Sequence, residues 1–208
     1  MVGTFDIPLV VLSIVVAVIT SSATLDLAAR VAASQEGMAA RYWLNGGAIV
    51  MGAGIWSMHF IGMLAFTLPI PISYDIPITL LSLLIAMMIS EFALYTASRG
   101  SLSVRRMLGA GLLMGVAIAS MHYTGMAAMQ LEPPIRYDPL LSILAIAIAA
   151  STAALWIAFR LRTETILSTF WKKIGSALAI GAAISGMYYT GMAAAIFAPD
   201  SVSTVSPQ

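Results

Sequence analysis

Residues 121–126 read MHYTGM, inside a run that hydropathy alone would assign to a membrane helix. A histidine and a tyrosine are costly in hydrocarbon unless they are paired or used, so the stretch needs a reason. The first clue is repetition. Residues 58–63 read MHFIGM and residues 187–192 read MYYTGM, 63 residues before and 66 after, counted from the leading Met. The match runs beyond the hexapeptide: Gly46, Gly109 and Gly175 coincide, as do Gly52, Gly115 and Gly181, then Ile55, Ile118 and Ile184, and downstream Ala65, Ala128 and Ala194. Self-similarity at a period of this size marks a repeat architecture.

Composition fixes the solvent. Of 208 residues 60% are hydrophobic and 9% charged, which is the composition of a membrane protein. A net charge of +1 points to no nucleic-acid partner. The chain has no cysteine, so disulfides and thiolates are excluded and a metal must use His, Met, Tyr, Asp, Glu or backbone. The N-terminus, MVGTFDIPLV, lacks the basic segment and cleavage site of a signal peptide and leads into the first span.

Six apolar segments are predicted as helices, at residues 7–29, 44–68, 76–98, 107–131, 140–159 and 174–197. Each has the roughly 20 residues that a helix needs to cross hydrocarbon ~30 Å thick. Pro8, Pro77 and Pro139 open the odd-numbered helices, and Pro69, Pro71, Pro133 and Pro134 follow the second and fourth. Arg30, Arg41, Arg99, Arg105, Arg106, Arg160, Arg162, Lys172 and Lys173 all fall after an odd-numbered helix, against Arg136 alone on the other side. The positive-inside rule then places both termini outside the cytoplasm. The loops leave no room for an extramembrane domain, and the polar tail, residues 199–208, is expected to begin a further loop, a truncation point before another helix or an output domain.

The odd-numbered helices repeat as well, with Leu25, Leu94 and Leu155 each five residues before Arg30, Arg99 and Arg160. Each repeat is therefore a pair of helices, at about 1–68, 69–131 and 132–198. A pair returns the chain to the same side, so the three repeats run parallel. The fold class predicted is an all-α membrane protein, six transmembrane helices as three tandem two-helix repeats with pseudo-threefold symmetry. Small residues on the even-numbered helices permit close contact, so these helices are expected to form the inner ring.

About eleven residues separate Met58 from Pro69, so the motif should lie ~15 Å below the outer helix ends. His59 and Met63 fall one turn apart on one face, as do His122 and Met126, and Tyr188 and Met192. Met58, Met121 and Met187 point about 100° away from the neighbouring ring.

A Met-His-Tyr-Thr motif in three copies, on alternate membrane helices and with matching glycines, resembles the MHYT domain of bacterial integral membrane sensor proteins, over essentially the whole chain. The resemblance implies a sensory module of the bacterial inner membrane, not an enzyme, proposed to bind copper through the motif's His and Met and thereby to detect oxygen, carbon monoxide or nitric oxide, or redox or copper status. It also implies signalling to a cyclic-di-GMP or kinase output that this chain does not contain. The third copy departs from the pattern, with Tyr188 where histidine is called for. A phenol is a poor ligand for a soft cuprous ion, so Tyr188 is expected to supply a hydrogen bond, with Tyr123 and Tyr189 beside it.

Imidazole and thioether suit copper in a cysteine-free site. The ligands expected are His59 with Met63 and His122 with Met126, with Met192 approaching from the third motif and Met58, Met121 and Met187 as further thioethers. Taken singly each Met is core filler, and Gly62, Gly125 and Gly191 read as close helix contacts. Two histidines at equivalent places beside methionine are what favour ligation.

Other polar groups carry other readings. Glu91, inside the third helix, is either protonated, paired, or part of a proton or ion path, which keeps a small transporter or channel as one alternative. A b-type haem between His59 and His122 is another. Asp26 should pair locally with Arg30, and Asp75 and Asp138 should cap the helices that follow them. The expected partners are the lipid bilayer, a metal ion, a diatomic gas and a second copy of the chain. There is no phosphate loop, nucleophile with base, or acid pair to support catalysis.

Overall fold

A computed structural model describes residues 3–34, 37–70, 72–98, 103–137, 140–161, 166–198 and 202–203, with the side chains of 140–145, 159–161, 166–169 and 203 excepted. Arg99, Asp138, Pro139, Pro71 and Arg162 lie outside the described residues, as does the side chain of Arg160. The described chain forms six helices: α1 (Ile7–Ala33), α2 (Met38–Ala65), α3 (Ile76–Ser98), α4 (Val104–Ala127), α5 (Leu140–Leu161) and α6 (Ile166–Ala193). Four of them, α1 to α4, are long and apolar enough to cross a membrane, and α5 holds a shorter apolar stretch, Ile146–Ala158, among the described residues.

Local chemistry starts the helices where the sequence suggests. Asp6 accepts a hydrogen bond from the Leu9 N–H at 3.0 Å, with Pro8 in the first turn of α1. Asp75 does the same for α3, accepting from Ile78 N–H at 2.8 Å ahead of Pro77, so its capping role is as expected. Gly37, at φ 140°, opens α2 in a conformation that a residue with a Cβ rarely adopts.

The even-numbered helices are displaced from their predicted bounds. They begin at Met38, Val104 and Ile166 rather than 44, 107 and 174, and end at Ala65, Ala127 and Ala193 rather than 68, 131 and 197. Short strands flank the helices: β1 (Thr4–Phe5) ahead of α1, β2 (Phe66–Thr67) after α2, β3 (Leu131–Glu132) and β4 (Arg136–Tyr137) between α4 and α5, and β5 (Ala195–Ile196) and β6 (Val202–Ser203) after α6. β1 pairs antiparallel with β2, β4 with β5, and Tyr74 forms a bridge to Met129. The N–H groups of Asp6 and Asp75 donate to Ala65 O and Ala128 O, each at 2.8 Å. Each helix pair is thus fastened at its motif end by a scrap of sheet, which satisfies backbone groups the helices leave open. Part of the polar tail is also ordered, with β6 antiparallel to β3.

Neighbouring helices pack in sequence order and α6 returns against α1. Gly52, Gly115 and Gly181 make these crossings close. A Cβ on Gly52 would meet the Met87 backbone at 2.6 Å, one on Gly115 the Ile148 backbone at 2.6 Å, and one on Gly181 the Val18 backbone at 3.0 Å. Met87, Ile148 and Val18 each stand seven residues before Leu94, Leu155 and Leu25. An equivalent glycine therefore grips an equivalent residue of the next repeat every time.

The expected inner ring of even-numbered helices is corrected by the packing. Across the bundle it is α1, α3 and α5 that approach one another closely in backbone. They carry a buried stripe of alanine and serine with one leucine each: Ala17, Ser21, Leu25 and Ala28 on α1, Ala86, Ser90, Leu94 and Ala97 on α3, and Ala147, Ser151, Leu155 and Ala158 on α5. Alanine and serine let backbones touch. The even-numbered helices bring rings and methionines inward, and these hold their backbones apart.

Candidate metal centre

His59 on α2, His122 on α4 and Tyr188 on α6 meet as three rings. Their centroids lie 5.1 Å apart for His59 and His122, 5.2 Å for His59 and Tyr188, and 5.8 Å for His122 and Tyr188, all edge to face. The three are 1–2% exposed.

The motif glycines make room for these rings. A Cβ on Gly125 would collide with His59 Nε2, one on Gly191 would stand 2.8 Å from His122 Nε2, and one on Gly62 would collide with Tyr188. The order is cyclic: the ring of α2 rests on the glycine of α4, that of α4 on α6, and that of α6 on α2. Gly62, Gly125 and Gly191 are ring seats, where helix-to-helix contacts had been expected.

The methionines divide. Met58, Met63, Met126 and Met192 join Tyr188 in one buried cluster at the motif end, with Met63 and Met126 fully buried. Met121 belongs to the cluster on the other side of the rings, and Met187 lines an apolar cavity of about 60 Å³ there. The ring layer is also shallower than expected. His59 stands six residues before Ala65, and His122 and Tyr188 five before Ala127 and Ala193, or about 8–9 Å from the helix ends instead of ~15 Å.

The aromatic residue after each ring reaches outward. Phe60 packs on Tyr74 at 6.1 Å, Tyr123 on Tyr137 at 4.8 Å and Tyr189 on Phe5 at 5.7 Å between centroids. Tyr189 also hydrogen-bonds Ser13 Oγ at 2.7 Å. Tyr123 and Tyr189 therefore lock the motif to the sheet scraps, a role not read from the sequence. The signal was there, since FDIP at residues 5–8 matches YDIP at 74–77. Burial pushes Tyr74 up to about 12, and burial, then the neighbouring Tyr123, raises Tyr137. A tyrosine that keeps its proton when folded contributes stability below its ordinary pKa near 10 that is lost as pH rises toward 12. Thermal stability in detergent should accordingly fall between about pH 10 and 12, and fall less in Tyr74→Phe, which keeps the ring contact.

Glu91 is exposed on α3, beside Leu44, Met88, Phe92 and Tyr95. It faces away from the bundle interior. Asp26 pairs with Lys173 at 2.6 Å across the α1–α6 boundary, in place of the expected Arg30, whose guanidinium stacks 4.8 Å above the Trp43 ring.

A metal can be tested against the unsatisfied atoms. His59 Nε2, both ring nitrogens of His122 and the Tyr188 hydroxyl are buried without a hydrogen-bond partner. Buried polar groups are normally satisfied, and imidazole nitrogens amid thioethers are a donor set that fits a soft metal ion. Among the described residues no group of three or more His, Asp and Glu gathers as a harder site would require.

A family model described as the bacterial signalling protein N-terminal repeat, MHYT, matches residues 52–110 and 115–167. The chain belongs to the MHYT family. Among curated relatives it is 52% identical over 202 residues to the bifunctional diguanylate cyclase/cyclic di-GMP phosphodiesterase MucR of Pseudomonas aeruginosa, covering 95% of this chain and 29% of that protein. It is 39% identical over 195 residues to the cyclic di-GMP phosphodiesterase NbdA of the same organism, covering 93% and 25%. It is 38% identical over 203 residues to the signaling protein YkoW of Bacillus subtilis, covering 95% and 25%. The chain thus spans less than a third of the length of these relatives. No solved structure matches it.

Proposed function

We propose that this MHYT chain is the sensory input of a bacterial signalling protein of the inner membrane, with copper held between α2, α4 and α6. The observation that carries the reading is the pair of buried histidines, 5.1 Å apart between ring centroids, with unpartnered nitrogens among buried methionines. His59 and His122 would hold the ion, with Met63 and Met126 one turn away and Met192 on the third helix. Copper would supply a redox-active centre open to a small ligand such as oxygen, carbon monoxide or nitric oxide. The Tyr188 hydroxyl would donate a hydrogen bond toward that ligand, and the surrounding methionines exclude water.

All six helices would cross the bilayer, residues 1–198 forming one domain of three repeats about a pseudo-threefold axis. The cyclic seating of rings on glycines, and of glycines on the next repeat, supports that arrangement. The basic helix ends would face the cytoplasm and the sheet scraps the outside. The domain would catalyse nothing itself. Its output would be a cyclic-di-GMP enzyme, of the kind named for MucR and NbdA. A change in ligand or redox state at the ring layer would bias the bundle between two packings.

The test is metal analysis of the detergent-purified chain after loading with Cu(I). One tightly held copper and no Soret absorbance are expected. A chain that retains no copper overturns the proposal, and a Soret band returns the haem reading.

A further inference from the structure

Glu91 sits in an open groove of about 400 Å³ between α2 and α3, lined by Leu44, Met88, Phe92 and Tyr95. The repeat explains the groove. One repeat later Leu44, Met88, Glu91 and Tyr95 become Met107, Ala149, Thr152 and Trp156, which line a like groove of about 660 Å³ between α4 and α5. One repeat further they become Lys173, Ile19, Ser22 and Asp26, between α6 and α1. There Lys173 Nζ meets Asp26 at 2.6 Å, so the third groove is closed by its own ion pair.

The first groove holds a carboxylate and no basic partner among the described residues. An unpaired acid on a lipid-facing helix is expensive, so the groove calls for a cation from outside the chain. The chain itself displays one near the end of the groove. Arg105 and Arg106 are exposed at the start of α4, the helix beside α3. Arg106 precedes Met107, the repeat equivalent of Leu44 at the end of the groove, and by the Gly52–Met87 crossing Glu91 lies about 7–8 Å further along the axis, a span that an extended arginine side chain covers. An arginine suits the position, because its planar fork meets a carboxylate through two hydrogen bonds.

We infer that two copies of this chain associate through α3 and α4, Glu91 of each copy receiving Arg106 of the other. A two-fold axis between them uses the same patch twice and satisfies both charges. The inference stands apart from the metal reading, since neither residue touches the ring layer. A lipid ammonium headgroup is the competing occupant.

The experiment is energy transfer between two labelled populations of the whole 208-residue chain in liposomes, over a series of lipid dilutions. Association is expected for the wild type. Glu91→Gln and Arg106→Gln should each weaken it by about tenfold or more, and the exchange Glu91→Arg with Arg106→Glu should restore it. The glutamine variants keep side-chain shape, and helix content by circular dichroism checks their fold. Energy transfer unchanged in both glutamine variants, or no better in the exchange than in either, overturns the interface. So does transfer that is absent throughout while phosphatidylethanolamine, and not phosphatidylcholine, protects Glu91 from carbodiimide modification.

Discussion

Replacing His59 and His122 together by alanine is expected to abolish copper binding and, with it, all copper-dependent stabilisation. A ligand that binds only the folded state stabilises it by about 2.7 kcal/mol at a hundred times its dissociation constant. Wild-type protein should show that increment as a rise in the melting temperature on adding Cu(I), and the double variant should show none. The apo-protein is a sharp control. Truncating two buried rings opens cavities, which destabilises, yet it also removes three nitrogens that have no partner, which relieves a penalty. The melting temperature without copper should therefore move less than cavity formation alone would require. A copper-induced rise that survives in the double variant would leave the ring layer as packing and nothing more.

The repeats were legible because each motif copy sits in the same surroundings and solves the same packing problem. His59, His122 and Tyr188 occupy equivalent places, and so do the glycines that face them. Helix limits were less legible. Hydropathy marks where a helix is apolar, whereas α2 continues through Arg41, Tyr42 and Trp43 and α6 through Trp171, Lys172 and Lys173, whose long or ringed side chains pair an apolar body with a polar end. At the other end the last apolar residues, Phe66 and Ala195 among them, pair as strands. Apolar character did not distinguish the two, and the motif was placed too deep for that reason.

The arrangement around the axis was legible only in part. Small residues predict close contact and say nothing of the partner. Gly52 could have met another even-numbered helix and instead meets Met87 on α3. The stripe formed by Ser21, Ser90 and Ser151 stands four residues before the repeated leucines and would have pointed to α1, α3 and α5 as the helices that approach one another across the bundle. Equivalence by repeat also leaves the sense of rotation open. Each ring could have leaned on the preceding glycine or the following one, and that choice depends on crossing angles that a sequence does not display.

That choice has a consequence for Gly125. Its methyl-bearing variant, Gly125→Ala, places a carbon where His59 Nε2 lies, in a ring enclosed by Phe60, His122 and Tyr188 at 5.1–5.3 Å between centroids. Something must shift. Overpacking of this kind costs about 1–3 kcal/mol, and disturbing the groups that orient a metal ligand lowers affinity by about 10–100-fold. Gly109→Ala is the matched control on the same helix, since a Cβ there meets nothing within 4 Å. It should gain up to about 1 kcal/mol from helix propensity and keep its copper. The two substitutions are chemically identical and lie on one helix, so a difference in copper affinity between them isolates the seat of the His59 ring. Equal affinities would mean that Nε2 of His59 takes no part in holding the ion, and the ligand set would then have to be drawn from His122 and the methionines.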